Sequence, residues 1–454
     1  MLKTFSIGGV HPHENKLSAH QPIVQAEIPA KAVILLSQHI GAPAKPIVAK
    51  GDVVKVGTKI AEPGGFVSAA IHSSVSGKVA KIDTIVDASG YAKPAVFIDV
   101  EGDEWEETID RTDTLVKECN LTAEEIVKKI ADAGIVGLGG ACFPTQVKLC
   151  PPPSFKAECV IINAVECEPY LTCDYRAMVE KETMDKLVTG VQICMKVLGV
   201  KKAFIGIEDN KPEAIQNLTE AFKDIPEVTV LACKTKYPQG AEKMMIEACT
   251  GRQVEPGGLP MNVGCVVSNV GTVIAITDAV CQGIPFIERL TTVTGDCIKE
   301  PKNLRLRIGT TFQEAIDYCG GFSKQPDRLI AGGPMMGLAQ YQLDVPITKG
   351  ASGILALSPE KCQVGEESPC IRCGRCVEAC PMGLIPSQLS IFSSCQAWDK
   401  CMEYGVMNCV ECGSCVYTCP AKRNIVQYIR NAKGQCKAIQ RTAQAKAEAQ
   451  KAKN

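Results

Sequence analysis

Two cysteine runs share one spacing, Cys370-x2-Cys373-x2-Cys376-x3-Cys380-Pro381 and Cys409-x2-Cys412-x2-Cys415-x3-Cys419-Pro420. Two-residue gaps let successive thiolates converge on one iron–sulfur cube, and the fourth sulfur comes from beyond a turn that Pro381 and Pro420 help to set. In two-cluster proteins with this spacing, the fourth cysteine of each run ligates the cluster of the other run. The pattern therefore assigns Cys370, Cys373, Cys376 and Cys419 to one [4Fe–4S] cluster, and Cys409, Cys412, Cys415 and Cys380 to a second. A pair of zinc sites would favour four-ligand groups with wider separation between pairs. Cys362, Cys395 and Cys401 lie nearby but off pattern and read as structural. A chain with two such clusters moves single electrons.

The rest of the chain must say where those electrons come from. At 454 residues it is long enough for several domains, because single cores stop growing at roughly 250–300 residues. A formal charge of −1 argues against nucleic acid as a partner, and the 5% aromatic content weakens any base-stacking role. Of 25 cysteines, those outside the runs are scattered, as at Cys119, Cys150, Cys194, Cys249 and Cys281. The first residues carry no apolar signal-peptide core, so the expected compartment is a reducing cytoplasm in which these thiols are small buried hydrophobes. No segment offers the roughly 18–20 apolar residues that a membrane span requires. The nearest stretch, 265–285, contains Ser268, Asn269, Thr272, Thr277 and Asp278 and reads as a buried strand and helix. Membrane attachment would have to come through partners.

Residues 23–100 read as short strands between glycine turns. The segments 47–62 and 75–82 resemble the hairpins of biotinyl and lipoyl carrier domains, a small barrel-like sandwich. Such carriers present a lysine between the hairpins, whereas Gly64-Gly65-Phe66-Val67-Ser68-Ala69-Ala70-Ile71-His72 has none. The fold is expected here without the swinging arm. From about 110 to 250 the pattern becomes a βαβ layout with a parallel sheet: buried strands at Val160–Ile162, Ala203–Ile207 and Val228–Leu231, a helix marked by Leu187, Val191, Cys194 and Leu198, and another opened by Pro212. A compact mixed segment with glycine turns occupies 288–345. Beyond the clusters, 437–454 is rich in Ala, Lys and Gln and is expected to be a solvated helix.

A second constellation lies at Gly137-Leu138-Gly139-Gly140-Ala141-Cys142-Phe143-Pro144-Thr145, after a helix predicted around 123–131. Glycines let a phosphate or a flat ring approach the backbone closely. Three segments join it: Asn163-Ala164-Val165-Glu166-Cys167-Glu168-Pro169-Tyr170, at the carboxyl end of a strand where α/β sheets bind ligands, then Tyr237-Pro238-Gln239-Gly240-Ala241-Glu242, and Ser268-Asn269-Val270-Gly271-Thr272.

This set resembles the flavin-bearing, NADH-oxidising subunit of respiratory complex I over about 110–345. With the opening Phe5-Ser6-Ile7-Gly8-Gly9-Val10-His11-Pro12, the sandwich and the cysteine runs, the whole order resembles the RnfC family, whose members belong to Rnf complexes, membrane-bound ferredoxin:NAD oxidoreductases coupled to ion translocation. The resemblance implies a multidomain α/β and α+β chain: a barrel-sandwich hybrid domain over 1–105, an α/β FMN- and NAD(H)-binding domain of the complex I flavin-subunit type over 106–262, a ubiquitin-like SLBB domain over 263–350, an α-helical double [4Fe–4S] ferredoxin domain over 351–435, and a charged Ala-rich tail over 436–454.

It also implies roles. Gly137, Gly139 and Gly140 would pack backbone against FMN, and Lys148 would neutralise negative charge on it. Asn163 and Glu166 would bond the ribityl chain or ring, while Tyr237, Gly240 and Glu242 close the other side. Asn269 and Thr272 would receive the phosphate at a helix start. Phe143 and Glu168 are the candidates for NAD(H). The implied chemistry belongs to the cofactors: FMN exchanges hydride with NAD(H) and single electrons with the clusters, with no catalytic side chain. The implied enzyme is part of an NAD(H):ferredoxin oxidoreductase, peripheral on the cytoplasmic side of the membrane, with membrane-embedded and peripheral Rnf-type subunits as partners and ferredoxin as an indirect redox partner. Four positions depart from the complex I pattern: Leu138 stands for an arginine, Cys142 for a glycine, Val165 for an acidic residue and Ala241 for a glutamate. The alternatives are a soluble flavo-iron–sulfur protein of the cobalamin reductase type and a non-catalytic cluster-bearing scaffold. His11-Pro12-His13 lacks further ligands and reads as surface, and nothing resembles a Ser–His–Asp arrangement.

Overall fold

The computed structural model describes residues 2–451 apart from 113, 118, 363 and 364. Its centre is a four-stranded parallel sheet in the order Val228–Cys233, Ala203–Glu208, Cys159–Asn163, Cys265–Asn269. The inner strand Cys159–Asn163 is buried along all but its last residue, as a parallel strand covered on both faces must be. Parallel pairing needs crossover connections, supplied here by helices Lys181–Leu198 and Pro212–Ala221. The first of these ends at Gly199, whose φ of 62° closes the helix in the left-handed region. It packs along helix Val270–Thr277, and the approach is so close that a Cβ on Gly190 would lie 2.4 Å from the Val273 carbonyl oxygen.

The predicted boundary at 262/263 does not hold. Cys265–Asn269 is a strand of this sheet, paired in register with Cys159–Asn163, and Val270–Thr277 belongs to its helical layer. An apolar strand that must be covered on both faces finds its place beside the buried strand, not in a separate domain.

The sandwich forms from two sheets, one ordered Lys31–Leu35, Ala92–Val100, Gly77–Val86, Val53–Val54 and the other Lys45–Pro46, Lys59–Glu62, Ile71–His72. Ile34, Ile60, Ile71, Val79 and Ile98 fill it and run into the same core as the parallel-sheet domain. The lysine-free segment 64–72 is not a mobile tip: the Ser68 carbonyl accepts from Gln146 Nε2 at 2.8 Å and the Ala70 carbonyl from Lys349 Nζ at 2.7 Å.

A six-stranded mixed sheet follows, ordered Ile23–Gln25, Lys302–Arg307, Glu288–Thr294, Gly353–Leu357, Arg328–Ala331, Leu338–Gln340. Gly353–Leu357, assigned to the cluster region from sequence, is instead a fully buried inner strand here. Five consecutive buried residues are what two-sided coverage demands. In the cluster module, short helices Arg375–Glu378 and Ser414–Tyr417 follow the two cysteine runs, and Pro386–Ser394 and Trp398–Glu403 pack on the long helix Ile425–Lys451. Leu389, Cys401, Ile429, Ala432 and Cys436 form its core. Most of the predicted tail is the exposed end of that long helix. Among the described residues, no helix is long and apolar enough to cross a membrane.

Candidate functional site

The cysteine runs fold so that Cys370, Cys373, Cys376 and Cys419 line one cavity of about 460 Å³. Gly374 and Gly413 turn the chain through φ of 80° and 82° immediately before the short helices that carry Cys376 and Cys415. Cys380, Cys409 and Cys412 lie near enough to Cys415 for their charge to bear on its thiol. Cys376 lies near Cys415 as well, so the eight predicted ligands are gathered in one module, and sulfurs of the two runs meet there. Such a donor set fits two iron–sulfur clusters and leaves no carboxylate or imidazole among the donors. The off-pattern Cys401 is buried in the module core, whereas Cys395 is exposed.

The glycine loop is closed by the Gly137 amide donating to the Phe143 carbonyl at 2.9 Å. Gly139 and Gly140 are exposed, and around Gly140 no atom comes within 4 Å of where a Cβ would sit. Beneath the loop, the Leu138 amide donates to Thr272 Oγ1 at 2.9 Å, and a Cβ on Gly139 would lie 3.2 Å from Asn269 Cβ. Lys148 Nζ pairs with Glu242 Oε1 at 2.9 Å and also donates to the Val267 carbonyl at 2.9 Å. Asn163 Nδ2 donates to the Gly240 carbonyl at 2.7 Å. Gly137, Gly139, Gly140, Lys148, Asn163, Gly240, Glu242, Asn269 and Thr272 therefore meet around the carboxyl ends of strands Cys159–Asn163 and Cys265–Asn269. Ser268 Oγ, at the same edge, is buried with no hydrogen-bond partner. An open glycine loop over unsatisfied polar groups fits a flat, polar cofactor. Phe143 is half-buried within the loop.

Three predicted contacts are placed differently. The Glu166 carboxylate caps helix Cys173–Ala177, accepting from the Asp174 amide at 2.7 Å and the Tyr175 amide at 3.0 Å. Glu168 Oε1 accepts from the Met335 and Met336 amides at 2.8 and 2.9 Å. Burial raises the Glu168 pKa above the ordinary carboxylate range. Tyr237 is 3% exposed and its hydroxyl donates to the carbonyl of Cys412 at 2.7 Å. Tyr237 thus sits at the seam between the parallel-sheet domain and the cluster module, and Glu168 ties the parallel-sheet domain to the 335–336 loop of the six-stranded sheet.

Sequence reasoning missed several supports. Lys16, partly buried, donates to the carbonyls of Glu166, Glu168 and Leu171 at 2.9, 3.0 and 2.7 Å, fixing a loop in which Glu166 and Tyr170 both adopt positive φ. Burial lowers its pKa below the usual lysine value. Asp174 Oδ2 accepts from Asn269 Nδ2 at 2.6 Å, and burial together with the Glu166 charge pushes its carboxyl up. Lys349, fully buried, donates to the carbonyls of Ala70 and Gly134 at 2.7 and 2.6 Å. Burial drops its pKa to about 7. All of these lysine bonds go to backbone carbonyls, which have no residue-type signature.

Comparison with known proteins bears on both sites. Family models match as an RnfC barrel sandwich hybrid domain over 3–103, a Nuo51 FMN-binding domain over 130–278, an SLBB domain over 290–339 and a 4Fe-4S dicluster domain over 369–423. The chain is 54% identical to the C subunit of the proton-translocating ferredoxin:NAD(+) oxidoreductase complex of Clostridium ljungdahlii, across 98% of this chain and 97% of that one. It belongs to the RnfC family. The C subunit of the Na(+)-translocating ferredoxin:NAD(+) oxidoreductase complex of Acetobacterium woodii is 47% identical over 94% of this chain and 96% of its own length. The C subunit of the ion-translocating oxidoreductase complex of Rhodobacter capsulatus is 42% identical over 95% of this chain and 83% of its own. Among solved structures, an NAD+-reducing [NiFe]-hydrogenase in the H2-reduced state shares the fold, with a TM-score of 0.50 at 19% identity over 69% of this chain and 63% of that one. The domain order expected from sequence is that of the family, and the cofactors that go with it are FMN and two [4Fe–4S] clusters.

Proposed function

We propose that this chain is the NAD(H)-interacting member of a membrane-bound ferredoxin:NAD oxidoreductase complex, seated peripherally on the cytoplasmic side and docked on ion-translocating partner subunits. Bound FMN supplies the exchange between a hydride on NAD(H) and single electrons on the clusters. Gly137, Gly139 and Gly140 let the ring approach the backbone. Lys148 and Glu242 set the charge beside it, Asn163 and Gly240 hold the facing loop, and Asn269 and Thr272 fix the start of helix Val270–Thr277 under the glycine loop. Phe143 is the candidate side chain for contact with the dinucleotide. Cys370, Cys373, Cys376 and Cys419 hold one cluster, and Cys409, Cys412, Cys415 and Cys380 the other.

The observation that carries this reading is the seam itself. Tyr237, on the loop that bears Gly240 and Glu242, bonds directly to the backbone of Cys412. The flavin-side loop and a cluster ligand are therefore one packed unit, which suits electron exchange between them. Near-complete coverage of RnfC relatives favours this reading over a cobalamin reductase-type protein or a non-catalytic scaffold. Anaerobically purified protein is expected to show flavin bands that NADH bleaches, on top of broad cluster absorbance. Protein that holds iron but no FMN, and that NADH leaves unchanged, would sink the proposal.

A further inference from the structure

Arg289 is 3% exposed, its Nε is buried without a partner, and among the described residues its guanidinium enters no hydrogen bond or ion pair. A buried cation without a counter-charge costs several kcal/mol in general, so such a group is expected to meet an anion that the protein binds. Its surroundings make the anomaly sharper. Strand Glu288–Thr294 carries it to the start of helix Val270–Thr277, where its Nη1 is 3.6 Å from the point a Cβ on Gly271 would occupy. A helix start is itself electropositive, so two positive features face each other. Leu138 Cδ1, from the glycine loop, lies 3.1 Å from the same point. Arg289, Arg305, Leu138 and Gly271 line a cavity of about 80 Å³ together with Asp174, Asp278 and Glu288, several times the space one water needs; Asp278 is paired with Lys186 and Glu288 with Arg307. Asp174 is close enough to feel the arginine, yet its carboxylate is bonded to Asn269 Nδ2 instead.

We propose that Arg289 binds the phosphate monoester of FMN beside the start of helix Val270–Thr277, where the Gly271 amide is held by Asn269 Oδ1 at 2.8 Å. This deepens the flavin reading and rests on it. The guanidinium reaches the cofactor from the neighbouring sheet domain, so that strand Glu288–Thr294 becomes part of the flavin site. The glycine loop contributes the apolar Leu138 at that point, and the positive charge arrives from a different segment of the chain.

The test compares two ligands that differ only in the phosphate. Full-length protein with its clusters intact is stripped of flavin and titrated with FMN and with riboflavin, following quenching of flavin fluorescence. In the wild type FMN should bind far more tightly than riboflavin. In Arg289→Met the FMN dissociation constant should rise at least about tenfold, as loss of a charge-assisted contact implies, while that for riboflavin stays within about twofold. Inorganic phosphate should compete with FMN in the wild type only. Equal weakening of both ligands, or no weakening of either, would overturn the assignment. If Arg289→Met does not accumulate, Arg289→Lys and Arg289→Gln take its place: the lysine should retain most of the preference for FMN over riboflavin and the glutamine lose it, and equal preference in the two overturns the proposal. Wild-type protein that binds neither flavin would refute the flavin reading itself, a distinct outcome.

Discussion

The cluster module and the glycine-loop site are built on opposite plans. In the module, eight sulfurs come from two runs of eleven residues each, and local turns at Gly374 and Gly413 suffice to aim them. In the glycine-loop site, the groups come from separate segments spread over residues 137–272, and what aims them is remote: Lys16 under the 163–171 loop, Lys349 under the segment at Gly134, and Arg289 at the helix start. Covalent metal ligation must be written as residue type and spacing. A non-covalent cofactor can be held by backbone groups, and backbone groups are held by whatever cation reaches them.

Breaking a ligand should have the largest effect. Cys380→Ser lies in the first run, yet it is expected to remove the cluster of the second run, giving the same loss of about half the iron and the same missing EPR signal as Cys409→Ser. If its spectrum instead matched that of Cys373→Ser, the crossed assignment would be wrong. Next comes Lys16→Met, which leaves three backbone carbonyls without their donor, at up to about 1–3 kcal/mol for each that water does not reach. FMN affinity should fall well over tenfold while iron content stays at the wild-type level, as titration and iron analysis would show. A parallel loss of iron would mean that the two sites are less independent than the comparison holds.

Lys349 gives a smaller, pH-dependent signal. Its pKa in the folded chain is about 7, against the ordinary 10.5, so above pH 7 the unfolded chain binds the proton that the folded one has released. The folded state therefore gains stability as pH rises from about 7 toward the ordinary lysine value, and the burial penalty is complete below pH 7. Urea melts of Lys349→Met should show a flatter rise over that window than the wild type, by on the order of a few kcal/mol. Parallel curves would refute the buried neutral amine. Smallest of all is Glu411→Gln, which loses half-exposed ion pairs to Lys433 and Arg430. It should cost under about 1 kcal/mol and leave both EPR signals in place, because the module is held by its clusters.

What could be read from sequence follows the same division. The cysteine runs, the parallel strands at 160–162 and 203–207 and the helix through Leu187 and Cys194 carry their own signatures of spacing or periodicity. Cys265–Asn269 and Gly353–Leu357 were legible as apolar runs, but a short buried run does not say which sheet will cover it. Glu166, Glu168 and Tyr237 were recognisable as a pattern, whereas the direction of their side chains was not. For Glu168 and Tyr237 that direction depends on Met335, Met336 and Cys412, which lie far away in the chain, and for Glu166 on the amides of the helix that begins at Cys173. Lys16, Lys349 and Arg289 gave no signal, since an isolated basic residue usually marks solvent-facing surface.

The central claim is that a flavin at the glycine loop and the clusters beyond the Tyr237–Cys412 seam form one electron path. Protein with FMN bound and its clusters chemically reduced, mixed anaerobically with NAD+ and frozen at intervals, tests it most directly. The account predicts that the cluster EPR signals disappear as NADH appears, one NADH for every two electrons lost. Clusters that stay reduced in the presence of bound FMN and excess NAD+ would contradict it.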